Sequence, residues 1–116
     1  VKQFDPYVGM PRAIRIGNFN FLVKLVSVGE SQATNRHGLM CPVQQIIAIS
    51  PGQNAQNLAD TFIHEVIHAI HYHFDLLDDN NQEEQITTMT AHGLCQVWQD
   101  NPKAMAWWAA INAHGI

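Results

Sequence analysis

The spacing of apolar residues changes along the chain. Over residues 13–28, AIRIGNFNFLVKLVSV, Ile, Val and Phe alternate in part with polar residues, and Gly17-Asn18 interrupts the run. That pattern predicts two short strands or one hairpin. Residues 29–42, GESQATNRHGLMCP, are punctuated by Gly29, Asn35, Gly38 and Pro42 and read as a loop. Residues 44–49, QQIIAI, read as a third strand closed by Ser50-Pro51-Gly52. From about 55 to 76 the period lengthens, and Leu58, Ile63, Val66, Ile67, Ile70 and Phe74 fall on one helical stripe. Asn54 or Asn57 is placed to cap its start. Asp78-Asp79-Asn80-Asn81 ends this helix and opens a second, about 82–99, which buries Ile86, Thr90, Leu94 and Val97. Gly93 allows that helix a close approach to a neighbour. Asn101-Pro102 is a cap followed by a first-turn proline, so a third helix runs to about 113 with Met105, Trp107, Trp108 and Ile111, and Gly115 ends it. Strands precede helices. The expected class is therefore α+β, a short N-terminal antiparallel sheet followed by three helices, in one domain spanning 1–116.

Composition narrows the functional classes. With 47% hydrophobic and 14% charged residues, the chain can build one core and is not of disordered type. No apolar run approaches the ~18 residues of a membrane span. The N-terminal residues lack the apolar stretch of a signal peptide, so a soluble cytoplasmic protein is expected. Residues 1–58 carry five basic and two acidic side chains, whereas residues 59–116 carry one basic and eight acidic. A net acidic chain without a Lys/Arg cluster argues against nucleic acid as a partner, and its acidic half suits a cation. Cys41 and Cys95 form no C-x-x-C pair and read as small buried hydrophobes. Seven histidines are the unusual feature, and His64, His68, His71 and His73 fall within ten residues.

His64-Glu65-Val66-Ile67-His68 is an H-E-x-x-H motif inside the first long helix. Residues i and i+4 stack on one helical face, so both imidazoles can reach one zinc ion. Glu65 then projects beside the metal, where a carboxylate can take a proton from water and pass it to a leaving amine. A catalytic zinc needs a third protein ligand. Six positions after His68 stands Phe74, His71 would place three ligands on one straight helix, and His73 points off the stripe. The start of the next helix offers Glu83-Glu84 instead. Helical projection centres Glu83 on the Ile86–Thr90–Leu94–Val97 face and sets Glu84 about 100° away, which leaves the choice open.

On these residues the chain resembles a known group. HEVIHAIHYHFDL and EEQITTMTAHGLCQVWQDNP, preceded by IRIGNFNFLVKLV and QQIIAI, resemble small phage and prophage zinc metallopeptidase-like proteins. These are zincins of the gluzincin type, distantly similar to the ImmA/IrrE family. The resemblance covers about residues 12–105. It implies a zincin-like domain in the cytoplasm of a bacterial host, with His64, His68 and a glutamate of the next helix as zinc ligands and Glu65 as general base. In that group the ligand stands two residues before the first apolar position of the helix, which selects Glu84 over Glu83. It also implies that the strand before the motif helix, 44–49, edges the cleft and pairs with an extended peptide or protein substrate.

Tyr72, His71, His92, Arg36 and His37 are candidate donors to a developing oxyanion, and none is placed by spacing. Asp60 stands one turn before His64. Trp98, Trp107 and Trp108 supply core anchors or, on the C-terminal helix, a contact for a protein partner. The expected function is zinc-dependent hydrolysis of a peptide bond. The alternative is a catalytically silent, zinc-stabilised phage interaction or regulatory module.

Overall fold

The computed structural model describes residues 4–30, 36–75 and 83–114. The stop expected at 78–81 and the final Gly115 lie outside them. Four strands, β1 (Ala13–Ile16), β2 (Phe19–Leu25), β3 (Gly38–Cys41) and β4 (Ile46–Ile49), are followed by the helices α1 (Ala55–His73), α2 (Glu83–Asp100) and α3 (Pro102–Ala113), and residues 28–30, between β2 and β3, are helical as well. The class is α+β, as expected. Gly17-Asn18 closes the β1–β2 hairpin, and Gly17 holds a φ of 59° at the first turn position, a conformation only glycine adopts freely.

Two expectations about the sheet fail. It is mixed, not antiparallel: its order is β1-β2-β4-β3, with β2 and β4 parallel and the other two pairs antiparallel. Residues 38–41, read as loop, form the edge strand β3. The reason is one hairpin. Residues 42–45 turn with Gln45 in the left-handed region (φ 56°) and its amide on the Pro42 carbonyl, so β3 runs out beside β4 and β4 returns along β2. Four residues that begin with Gly and run into Pro carry no strand signal of their own; pairing and packing make them a strand.

One face of the sheet is covered by helices. Ile14, Ile16, Phe21, Val23, Ile47 and Ile49 alternate onto that face and are buried against Leu58, Phe62, Val66 and Ile70 of α1, Val97 of α2 and Met105, Trp107 and Ile111 of α3. The α1 stripe is rotated from the expected one. Ala59, Phe62 and Ala69 are buried, Ile63 and Ile67 are half-buried, and Phe74 caps the helix with 38% exposure. Asn54 is the N-cap, its Oδ1 accepting from Asn57 N at 2.9 Å. Trp107 donates to the Pro6 carbonyl (3.0 Å) and Trp108 to the Ala59 carbonyl (2.9 Å), while Trp98 is half exposed.

The two sheet edges are treated differently. Asn101 makes no side-chain cap to α3; its amide pairs with the Arg15 backbone, accepting from Arg15 N and donating to Arg15 O, both at 2.8 Å. Gln96 adds a bond from Gly17 N (2.7 Å) and one to Arg15 O (3.2 Å). Side chains from α2 and the α2–α3 junction thus satisfy the outer edge of β1, which blunts it as a template for further pairing. Strand β3 pairs, among the described residues, with β4 alone.

Candidate metal centre

The i, i+4 spacing on α1 brings the two motif histidines together. His64 Nε2 and His68 Nε2 lie 3.0 Å apart, with both rings exposed to solvent. Two nitrogens bound to one tetrahedral zinc at ~2.0–2.1 Å stand about 3.3 Å apart, so a small rotation of the rings admits the ion. Next to them, Glu65 is only 7% exposed, yet it lines the same cavity. A buried acid at the wall of that cavity stands where a proton acceptor would act.

The cavity, about 630 Å³, has two walls. Asp60, Thr61, His64, Glu65 and His68 come from α1, and residues 36–40 come from β3 and the residues leading into it. A smaller cavity of about 400 Å³ continues past Met40 and His68 to His71, Tyr72 and Asp75. Met40 and His68 are common to both cavities, so the groove between β3 and α1 continues past His68. Strand 44–49 does not edge this groove, contrary to expectation: β4 is paired on both sides, and β3 takes the outer place.

Other sequence candidates now sort themselves. Arg36 and His37 line the larger cavity, and His71 and Tyr72 the smaller; His92 is exposed on α2 and lines neither. His71 Nε2 is 3.1 Å from Thr90 Oγ1, a link from α1 to α2. Burial, and then the nearby His68, hold the His71 imidazole below its usual pKa. His73 turns away from the groove, its ring edge-on to Phe19 and to Phe74 and its Nδ1 buried without a partner among the described residues. Cys41 is half-buried and lines neither cavity; Cys95, expected to be buried, is exposed on α2.

Glu84 stands exposed in the first turn of α2 and does not line either cavity, and the Glu83 side chain lies outside the described residues. Among the described residues no group of three His, Cys, Asp or Glu side chains is placed to hold one metal ion; of the expected set, His64 and His68 meet and Glu65 lines the same cavity.

Sequence reasoning missed the clamp that holds the β3 wall. Ser50 N and Gln53 Nε2 both donate to the His37 carbonyl (2.9 and 3.1 Å), and Ser50 Oγ donates to the Arg36 carbonyl. Thr61 Oγ1 donates to Gln53 Oε1 at 2.7 Å, tying the motif helix to the same clamp. These are polar residues of ordinary type in a loop and a helix turn, and only their meeting in space marks them.

No protein-family model, curated protein or solved structure matches this sequence.

Proposed function

We propose that this chain is a zinc-dependent peptide-bond hydrolase, a small metallopeptidase of the H-E-x-x-H type. The observation that carries the reading is the meeting of the His64 and His68 Nε2 atoms, 3.0 Å apart, in one cavity with a buried glutamate. The resemblance read from residues 12–105, to small phage and prophage zinc metallopeptidase-like proteins, is in keeping with it. In this reading His64 and His68 would hold the metal, and Glu84, exposed in the first turn of α2 and outside both cavities here, would come in as third ligand. Zinc, when bound, supplies Lewis acidity and makes water a nucleophile near neutral pH. Glu65, shielded from bulk water, accepts the proton of the attacking water and returns it to the leaving amine. The open edge of β3 pairs with an extended peptide laid along the groove, so main-chain hydrogen bonds hold the substrate.

The test compares wild type with Glu65→Gln. Each should bind one zinc per chain, and wild type should cleave members of an unbiased peptide library ~10²–10⁴-fold faster than the variant. Equal zinc with no cleavage by either protein would leave the silent interaction or regulatory module as the reading. Equal cleavage by both would remove Glu65 from the role of base.

A further inference from the structure

We propose that Gly38 is a positioning residue: its missing side chain lets the edge strand lie directly on α1 and so fixes where the Glu65 carboxylate stands in the cavity. The catalytic consequence rests on the hydrolase reading; the placement does not.

The geometry is tight on every side. A Cβ at position 38 would sit 2.7 Å from Thr61 Cγ2, 3.2 Å from Glu65 Cγ and 3.4 Å from the Ala48 carbonyl. Gly38 pairs with Ile49 in the ladder, so its inward side faces the helix. Glycine is required here by contact.

The strand cannot retreat to make room. The Arg36 and His37 carbonyls just before Gly38 are held by Ser50 and Gln53. Gln53 N in turn donates to Tyr7 Oη (3.0 Å), and Tyr7 Oη donates to the Ser50 carbonyl (2.7 Å). Nor can Thr61 turn aside, because its hydroxyl is bonded to Gln53, it is β-branched, and it is 6% exposed. At 2.7 Å the Thr61 methyl must shift, and since its hydroxyl is tied it moves with its turn of α1; Glu65, one turn on and with Cγ at 3.2 Å, must give as well. A methyl group at position 38 therefore displaces the glutamate, while His64 and His68, exposed on the neighbouring helical face, keep their rings clear of the contact.

Small misplacements of a reacting group lower turnover steeply. Gly38→Ala should keep one zinc per chain and leave KM within about twofold, while kcat falls about tenfold or more. A rescue separates placement from general damage. Thr61→Ser deletes Cγ2, the atom nearest the new methyl, and keeps the hydroxyl bonded to Gln53. Gly38→Ala/Thr61→Ser should therefore recover most of kcat.

A second readout needs no substrate. The side-chain carboxyl ¹³C resonance of Glu65, assigned by its absence in Glu65→Gln, should move in zinc-loaded Gly38→Ala and return in the double variant. If Gly38→Ala does not fold, Gln53→Ala releases the His37 carbonyl without adding an atom and should shift or broaden the same resonance. A resonance unmoved in a folded Gly38→Ala, or in Gln53→Ala where the first variant is unfolded, overturns the proposal. So does unchanged kcat in an active Gly38→Ala protein. A resonance that moves and returns in a protein that cleaves nothing supports the placement and removes the hydrolase reading instead.

Discussion

Tyr7 shows how much of the site's framework rests on single side chains. Its hydroxyl donates to the Ser50 carbonyl and accepts from Gln53 N, joining the N-terminal segment to the loop that fixes the β3 wall. Tyr7→Phe removes both bonds and should lower stability by about 1–3 kcal/mol in urea unfolding at neutral pH, from the usual net value of each bond. The pH dependence has a definite sign. Burial, against the opposing Gln53 bonds, raises the phenol above its ordinary value of 10.0. The native state thus holds its proton more tightly than the unfolded chain, a contribution present in full below pH 10 and lost as pH rises through the raised value. The wild-type protein should lose stability across that alkaline range more steeply than Tyr7→Phe. Equal slopes would show that the phenol titrates alike in both states. Nothing at position 7 in the sequence signals this role, because the partners of its hydroxyl lie more than forty residues away.

Among the elements, the α1–α2 contact was the most legible. Gly93 breaks an otherwise regular helix, and a glycine there reads as close approach; in the structure its position faces the fully buried Ile70 of α1. A Cβ at Gly93 would stand 2.5 Å from Ile70 Cγ2 and 3.1 Å from Cγ1. Gly93→Ala gains up to ~1 kcal/mol of helix propensity and incurs overpacking of typically 1–3 kcal/mol, so a lower melting temperature is expected. A higher one would mean the helices separate without loss. The strands were legible unevenly. β1, β2 and β4 show as Ile-, Val- and Phe-rich runs, whereas β3 has no signal, because a short edge strand is stabilised by its partner and by the helix beneath it. Asn101 was read as a cap from its place before Pro102, yet its amide serves the edge of β1, a demand that arises only once α2 lies beside that strand.

At the scale of the whole molecule, a metal bound between α1 and α2 would couple the site to folding. On the proposed ligand set, zinc binds the native state alone and adds RT ln(1 + [Zn]/Kd), about 4 kcal/mol at a thousandfold excess over Kd. Chelation should therefore lower the melting temperature of wild type and leave His64→Ala unchanged; a wild-type melting temperature unaffected by EDTA would count against a zinc that joins the helices. No helix among the described residues is long and apolar enough to cross a membrane. The amino-acid sequence determined by itself the α+β class, three helices close to their observed limits, and the pairing of His64 with His68. Those are local consequences of helical periodicity and of i, i+4 geometry, which act over a turn or two of chain. Tertiary structure alone decided the parallel β2–β4 pair, the sealing of one sheet edge by Gln96 and Asn101, and β3 rather than β4 as the wall of the groove. It alone set Gly38 on Glu65. Each of these joins segments distant in the chain, and the free energy that selects them comes from pairing and packing between elements, which no window of sequence contains.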